Sequence, residues 1–283
     1  ADITGSQFLD PDGMFPNHIS NPEDKAAMDA ICSAVIREKA DLGIIFDTDV
    51  DRAAVVDSQG NPINRNALIA LISAIVLEEH PGSTVVTDSI TSTGLNAFIE
   101  DHLKGKHHRF KRGYKNVINE SVRLNKEGVE SCIAIETSGH AALKENYFLD
   151  DGAFLVAKIL VKVAQMHMQG ASISKLIEPL QAPLESNEYR FAINKKDFAL
   201  YGQGVIERLA EIVKNKEGWE AEKDNYEGIR VKCTGSDEQG WFLLRLSLHD
   251  PVMPLNVESD IQGGVDSIMG RRKDIIIGSD LLV

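Results

Sequence analysis

The alternation of apolar and polar positions along the chain predicts helices and short strands in turn. A first helix is predicted after Asn21, which can cap it, and Pro22, because apolar residues recur at helical spacing from 28 to 36. Strand-length apolar runs follow at Leu42–Phe46 and at 53–56. Further helices are predicted at 66–79, 93–103 and Gly152–Met168, and further strands at 84–87 and 132–135. This order is typical of α/β layers around a mostly parallel sheet.

The order of elements changes beyond a short segment bracketed by Pro179 and Pro183, which has the composition of a linker. Beyond it the pattern predicts strands at 189–193, 228–232 and 241–247 and one helix at 205–214. These elements indicate a separate, smaller α+β domain at the end of the chain.

Composition and charge exclude several classes of function. Of the 283 residues, 43% are hydrophobic and 26% are charged, which is typical of a globular protein. The net charge of −13 argues against nucleic acid or an anionic membrane as a partner. The spacings of Cys32, Cys132 and Cys233 fit neither a disulfide framework nor a zinc site and favour reduced thiols. The first residues resemble the interior of a longer protein rather than a signal peptide.

An acidic loop between two apolar strands carries the strongest chemical signal. Asp47, Asp49 and Asp51 stand at alternate positions of an extended turn that ends with Arg52, so their carboxylates can converge on a hard cation such as Mg²⁺. A calcium EF-hand is excluded, because it would need a glycine where Arg52 stands, a glutamate where Ser58 stands, and a helix rather than a strand on each side. A phosphatase with Asp47 as nucleophile and a solvated acidic turn remain as alternatives.

Two further motifs contain groups that can bind a phosphorylated sugar. Glu136-Thr137-Ser138-Gly139-His140 follows a predicted strand and offers a carboxylate, a hydroxyl and an imidazole, although a lone histidine there can also be structural. Arg245 to Pro251 offers a guanidinium and Ser247 for a phosphate, or is a plain strand end. The basic stretch 104–115 is either an anion site or a solvated loop.

The order and spacing of these motifs resemble the α-D-phosphohexomutase family, which contains the phosphoglucomutases and phosphomannomutases. The segment 47–52 is similar to the family's Asp-Gly-Asp-Gly-Asp-Arg loop, with Thr48 and Val50 in place of both glycines. The segment 136–140 is similar to Glu-x-Ser-Gly-His, and Asp150-Asp151-Gly152 to the Asp-Asp-Gly that follows it.

Three other segments support the same resemblance. Residues 11–16 and 21–23 are similar to the stretch before the family's metal loop, and Gly113-Tyr114-Lys115 to its Gly-x-Lys. Residues 245–251 are similar to the phosphate loop Arg-x-Ser-x-Thr-Glu-Pro, with His249-Asp250 in place of Thr-Glu. The resemblance implies a partial second α/β domain at 1–62 with the metal loop, a complete third α/β domain at 63–180 with the sugar loop, and a C-terminal α+β phosphate-binding domain at 181–283.

The resemblance also implies an activity and a role for each site residue. Family members interconvert hexose 1-phosphates and hexose 6-phosphates as intramolecular phosphotransferases, through a phosphoserine and a hexose 1,6-bisphosphate. By the resemblance, Asp47, Asp49 and Asp51 hold Mg²⁺. Arg52, Lys115 and His140 act in catalysis, and substrate is bound by Glu136, Ser138, Arg245, Ser247 and His249. The residues do not indicate which hexose is preferred, or whether the protein is a monomer or a dimer.

The family's phosphoserine has no counterpart in this sequence, because no serine is followed directly by histidine. We therefore expect the serine domain to lie outside this chain and the chain alone to be inactive. A non-catalytic phosphosugar-binding relative remains an alternative, as does an Asp-nucleophile phosphatase. The cytoplasm is the default compartment, and an organellar targeting segment would lie upstream of these residues.

Overall fold

The computed structural model describes residues 2–247, 250–271, 275 and 281–282, and the chain forms two compact units, Ala1–Gln181 and Ala182–Val283. Each unit contains the elements that its apolar pattern predicts, together with several that the pattern does not. The mixed α/β fold class predicted from the sequence is confirmed. No helix of the described residues is both long and apolar enough to cross a membrane.

The first unit begins with helix α1 (Lys25–Glu38) and a sheet of β1 (Leu42–Phe46), β2 (Ala53–Asp57) and β3 (Pro62–Ile63). This sheet is antiparallel rather than part of the predicted parallel one, because a six-residue turn from 47 to 52 can join only antiparallel neighbours. Phe46 pairs with Ala53, so the acidic loop lies at the tip of this hairpin.

The predicted N-cap of the first helix, Asn21, is wrong, because the observed N-cap lies three residues later in the chain. The N-cap is Asp24, whose side chain accepts a hydrogen bond from the Ala27 backbone N–H, and the helix starts at Lys25. Asn21 instead forms a turn in which its side-chain oxygen accepts from the Glu23 backbone N–H at 3.0 Å. Asn, Asp and Ser are near-equal as caps, so the local sequence does not discriminate between the two positions.

A second sheet of the first unit has the strand order β5-β4-β6-β7. Its elements, in chain order, are α2 (Arg65–Glu79), β4 (Thr84–Asp88), α3 (Thr93–Ala97), β5 (Lys106–Phe110), α4 (Tyr114–Lys126), β6 (Ser131–Ile135), β7 (Ala141–Leu143) and α5 (Gly152–Met168). Strands β5, β4 and β6 are parallel, whereas β7 is antiparallel to β6. The carboxyl ends of β4 and β6 therefore lie at one edge, where functional side chains collect.

Helix α2 forms the centre of the first unit's core. Every side chain from Leu68 to Leu77 is buried, and the same apolar cluster contains residues of β2, β4, β6 and α5. Because one continuous core joins the two sheets, the acidic loop on the β1–β2 hairpin has a fixed position relative to the loops that follow β6.

The basic stretch 104–115 is neither a loop nor an open cationic patch. It contains β5 and the start of α4, and several of its polar side chains are already bonded. His107 is bonded to Thr87 at 2.8 Å, His108 is bonded to Glu120 at 2.9 Å, and Arg109 donates to the Ser92 carbonyl at 2.9 Å. These side chains therefore serve mainly to hold β5 in place.

The second unit is a six-stranded antiparallel sheet in the order β13-β8-β12-β11-β10-β9. Its elements are β8 (Glu185–Ile193), α6 (Phe198–Lys214), β9 (Trp219–Ala221), β10 (Ile229–Cys233), β11 (Gly240–Leu244), β12 (Val252–Ser259), α7 (Gly264–Gly270) and β13 (Leu281–Leu282). The sequence predicted β8, α6, β10 and β11 but not the remaining elements. Arg245 directly follows β11, so the predicted phosphate loop begins at a strand end.

Candidate active site in the first unit

The acidic loop brings its three carboxylates together. Asp47 is buried directly after β1, Asp49 is exposed, and Asp51 is partly buried at the far end of the turn. One oxygen from each of the three lies within 4.8 Å of the others. The convergence that the alternate spacing predicts is present, and it gives an all-oxygen donor set of the kind that Mg²⁺ prefers.

Arg52 folds back onto Asp47 and fixes the start of the loop. Its Nε donates to Asp47 Oδ2 at 2.6 Å, and its backbone N–H donates to Oδ1 at 3.2 Å. Burial raises the pKa of Asp47, but the hydrogen bonds from Arg52 outweigh it and the net shift is downward. Asp47 is therefore ionised at neutral pH, as a metal ligand must be.

Asp51 provides the observation that tests whether a cation fits. Its Oδ1 is buried and accepts no hydrogen bond from the described residues, and Arg52 Nε is 3.9 Å away, so this oxygen has a lone pair available for a cation in the loop. Burial, followed by its hydrogen bond with Asp47, raises the pKa of Asp51 to about 6, although the charge of His140 acts in the opposite direction. The residues present fit Mg²⁺.

Val50 occupies a backbone conformation that favours glycine. Its φ is 64°, and a β-branched residue in this left-handed region costs about 1–2 kcal/mol. Its carbonyl accepts from the Gly152 backbone N–H at 3.0 Å, and a Cβ on Gly152 would lie 2.9 Å from that same oxygen. The loop is therefore held tightly against the start of α5, which keeps Val50 strained.

Val50→Gly is expected to raise the free energy of unfolding by about 1 kcal/mol, because relief of the strain exceeds the entropic cost of a glycine. Thr48 is the matched control, since it also stands where the family has glycine but its φ is not positive. Thr48→Gly should lower stability by about 0.5–1 kcal/mol. Urea unfolding of both variants measures the difference, and equal effects of the two substitutions would show that Val50 is not strained.

The predicted sugar loop, residues 136–140, packs directly on the β1–β2 hairpin that carries the acidic loop. A Cβ at Gly139, whose φ is 99°, would lie 2.7 Å from the Ala53 carbonyl, so only glycine permits this approach. Arg52 and His140 form an isolated antiparallel β-bridge.

Buried Asp88, at the end of β4, holds the same loop from the side of the parallel sheet. Its carboxylate accepts hydrogen bonds from the Thr137 backbone N–H at 3.2 Å and from the Thr137 hydroxyl at 2.7 Å. The bridge to Arg52 and the hydrogen bonds to Asp88 together fix the position of residues 136–140 beside the acidic loop.

His140 is held by charged and aromatic neighbours. Its Nδ1 lies 2.8 Å from Asp150 Oδ2 and 3.6 Å from Asp51 Oδ2, and its ring stacks on Tyr114 with centroids 4.9 Å apart. Burial lowers the pKa of His140, but the hydrogen bond and charge of Asp150 outweigh it, so the net shift is upward. With Nδ1 bonded to a carboxylate, Nε2 is the nitrogen left for proton transfer.

The other predicted residues of the first unit lie near this centre. Ser138 Oγ is buried and has no hydrogen-bond partner among the described residues, so it is available for a sugar hydroxyl. Lys115 is exposed in the first turn of α4, with its Nζ 5.7 Å from the centroid of the Tyr114 ring that stacks on His140. Glu136 is buried after β6, and its Oε1 accepts from the Gly113 backbone N–H at 2.6 Å.

Burial, followed by the charge of Asp88, raises the pKa of Glu136 from 4.5 to about 7. The folded protein therefore binds this proton more tightly than the unfolded chain, and ionised Glu136 costs stability as the pH rises from 4.5 through 7. Glu136→Gln should be more stable than the parent by up to roughly 3 kcal/mol above pH 7, and the difference should shrink towards pH 4.5. Thermal unfolding across this range measures it.

Glu120 is the matched control for this pH dependence. It is equally buried, but hydrogen bonds from Arg123 lower its pKa, so its ionised form contributes stability above pH 4.5. Glu120→Gln should therefore lose stability at neutral pH and approach the parent as the pH falls. If Glu136→Gln behaves in the same way as Glu120→Gln, the raised pKa of Glu136 is refuted.

The predicted phosphate residues lie in the second unit. Arg245 is buried, and its Nη2 lies 3.8 Å from Glu188 Oε2 on β8. Ser247 Oγ accepts from the Asp250 backbone N–H at 3.2 Å, which closes the turn locally. The third predicted residue, His249, lies outside the described residues.

Sequence reasoning missed three residues that contact predicted site residues: Asp88 and the Tyr114 ring in the first unit, and Glu188 in the second. Asp88 directly follows the predicted strand 84–87 and ends the observed β4, and this position was the available signal, because the carboxyl ends of parallel strands meet at one edge of a sheet. Tyr114 and Glu188 gave no comparable signal, since their partners are distant in sequence.

Comparison with known proteins places this geometry in a family. The model "Phosphoglucomutase/phosphomannomutase, alpha/beta/alpha domain II" matches residues 3–60, and the corresponding domain III model matches residues 64–183, together more than half of the chain. A phosphomannomutase/phosphoglucomutase from Pseudomonas syringae pv. tomato is 30% identical over 266 residues, which are 94% of this chain and 53% of that protein. A phosphoglucomutase from Neisseria gonorrhoeae is 28% identical, covering 98% of this chain and 56% of that protein.

A solved structure agrees with these matches. A phosphoglucomutase/phosphomannomutase family protein from Burkholderia thailandensis has a TM-score of 0.76 at 26% identity, covering 96% of this chain and 55% of that one. The fold is therefore that of a phosphohexomutase. The chain belongs to the α-D-phosphohexomutase family, in the phosphoglucomutase/phosphomannomutase group, which confirms the resemblance found in the sequence. It spans about half the length of the relatives that it matches.

Proposed function

We propose that this chain supplies the metal, sugar and phosphate sites of a phosphohexomutase that interconverts hexose 1-phosphates and hexose 6-phosphates through a bisphosphate. One observation carries the proposal: the acidic loop and the sugar loop meet in the first unit, where Asp51 Oδ2 lies 3.6 Å from His140 Nδ1. A reaction that moves a phosphoryl group between hydroxyls needs a cation and a proton-transfer group side by side.

Each residue has a role in this proposal. Asp47, Asp49 and Asp51 hold Mg²⁺, which when bound neutralises phosphate charge and orients the transferring group. Arg52 keeps Asp47 ionised and adds positive charge beside the metal loop. His140, oriented by Asp150, transfers a proton at Nε2.

The remaining residues bind the substrate. Glu136 and Ser138 accept and donate hydrogen bonds to sugar hydroxyls, and Lys115 adds a positive charge near the same centre. Arg245, Ser247 and His249 hold the phosphate that is not being transferred, as an Arg fork and hydroxyls do in other phosphate sites. The substrate in this proposal is a hexose phosphate, with the hexose 1,6-bisphosphate as intermediate.

The phosphoryl carrier in this proposal is a serine outside these 283 residues, because the sequence contains no serine in the family's phospho-acceptor context. The chain alone then binds phosphosugars without interconverting them. A phosphatase with Asp47 as nucleophile is disfavoured, because it gives no role to the motifs at 136–140 and 245–251, and because the relatives that match this chain are phosphohexomutases.

Calorimetric titration with glucose 1-phosphate and with inorganic phosphate tests this division of roles. Glu136→Ala should weaken glucose 1-phosphate binding by about tenfold and leave inorganic phosphate binding unchanged, because Glu136 contacts only sugar hydroxyls. The matched control is Glu178→Ala, which removes an exposed carboxylate from the same unit. Equal loss of both ligands, or loss of neither, would remove Glu136 from the sugar site.

A further inference from the structure

A second cluster of ligating side chains lies at the opposite end of β6 from the sugar loop. His80 immediately follows α2, Glu130 immediately precedes β6, and Cys132 is the second residue of that strand. These residues lie beside a cavity of about 240 Å³ that is lined by His80, Cys132, Leu143 and Lys144 among others. None of them has a role in the site described above.

The three donor atoms already have nearly the spacing of a metal site. Glu130 Oε1 lies 3.7 Å from Cys132 Sγ and 3.9 Å from His80 Nδ1, and all three atoms lie within 4.8 Å of one another. Ligands on a tetrahedral zinc ion are about 3.4–3.6 Å apart, given bonds of about 2.0–2.3 Å. Shifts of up to about 1.2 Å, the difference between 4.8 Å and 3.6 Å, would close the site, mainly in the half-exposed side chains of His80 and Glu130.

The chemistry of the donors selects the metal. A thiolate, an imidazole and a carboxylate together suit Zn²⁺, whereas Mg²⁺ takes oxygen ligands and would stay in the acidic loop. We propose that His80, Glu130 and Cys132 bind one zinc ion, with the fourth position open to the cavity. This ion joins the end of α2 to the start of β6.

The surroundings of the thiol are consistent with this assignment. Cys132 is 3% exposed, and its Sγ donates to Glu130 Oε1 at 3.7 Å, so the thiol already faces the carboxylate that would share the ion. Glu79 and Glu145, which line the same cavity, are each paired with Lys158 and do not compete as ligands. Cysteine spacing in the sequence predicts no zinc site because His80 is brought to Cys132 only by the fold.

Cobalt titration of the reduced chain tests the proposal, since Co²⁺ substitutes for Zn²⁺ and a thiolate ligand gives it a charge-transfer absorption band. We expect one equivalent of Co²⁺ to produce the band in the presence of excess Mg²⁺. Cys132→Ser should abolish the band, whereas Cys32→Ser, which removes a half-buried thiol elsewhere, should retain it. No band in the parent chain, or a band that survives in Cys132→Ser, would overturn the proposal.

Competition with a chromophoric chelator then measures zinc affinity directly. His80→Ala and Glu130→Gln should each weaken Zn²⁺ binding by at least about tenfold. These two side chains are 42% and 53% exposed, so their variants test the site even if Cys132→Ser does not fold. Unchanged zinc affinity in both variants would also overturn the proposal. Mg²⁺ binding and phosphosugar binding should be unaffected, which separates this test from those of the proposed function.

Discussion

Asp51→Asn is expected to weaken Mg²⁺ binding by at least about a hundredfold. The substitution removes one of three converging carboxylates, and charge count together with ligand number sets the affinity of an oxygen site for a hard cation. Asp51 is the position of largest effect because its buried Oδ1 accepts no hydrogen bond from the described residues, whereas Asp47 is held by Arg52 and Asp49 is exposed. Paramagnetic resonance with Mn²⁺ as a probe measures the change.

Asp41→Asn is the control for Asp51→Asn. It removes the same charge from an exposed position just before β1, at the opposite end of the hairpin from the acidic loop, and should leave Mn²⁺ affinity within about twofold. A second readout is the pKa of His140, which the Asp51 charge helps to raise and which should fall in Asp51→Asn. If Mn²⁺ affinity changes equally in both variants, the acidic loop is not the metal site.

Arg245→Ala is expected to weaken glucose 1-phosphate binding by about ten- to a hundredfold. A charge-assisted hydrogen bond to phosphate contributes roughly 1.5–3 kcal/mol, and its loss is measured directly by calorimetric titration. Arg245 is buried and close to Glu188, so its guanidinium has a restricted position before phosphate arrives. Little entropy is then lost on binding, which favours the upper part of this range.

Arg190→Ala is the matched control, because Arg190 also contacts Glu188 but its side chain is 62% exposed. It should change glucose 1-phosphate affinity by less than about threefold. Binding that is unchanged in Arg245→Ala, or that falls equally in both variants, would show that the loop after β11 does not bind the phosphate.

The sequence predicted well those parts of the fold that depend on apolar spacing alone. Helix α5 has the predicted bounds, and β1 does too, because apolar side chains along each element pack against the core. Strand β5 was missed because Lys106, His107, His108 and Arg109 are polar, and hydrogen bonds rather than apolar contacts hold several of them. Helix α4 left a signal in buried Val117, Ser121 and Leu124, which recur at helical spacing.

In the candidate site, too, local features could be predicted from the sequence and long-range contacts could not. The convergence of Asp47, Asp49 and Asp51 could be predicted because the three lie within one short loop, whereas the roles of the site residues stay predictions. Their supports could not be predicted, since Asp88 meets Thr137 and Glu188 meets Arg245 only through pairing of strands far apart in the chain. The strain at Val50 was also hidden, because its φ follows from the contact between the acidic loop and Gly152.

We propose that this chain carries a phosphohexomutase site whose phosphoryl carrier lies outside it. The direct test is conversion of glucose 1-phosphate to glucose 6-phosphate, with Mg²⁺ and glucose 1,6-bisphosphate, by the purified 283-residue chain and by the same chain joined to a serine-bearing phosphohexomutase domain. We predict turnover only when the serine is present, because a phosphoenzyme needs a nucleophile in line with the sugar phosphate. Turnover by the chain alone at a comparable rate would contradict the account and make Asp47 the first candidate nucleophile.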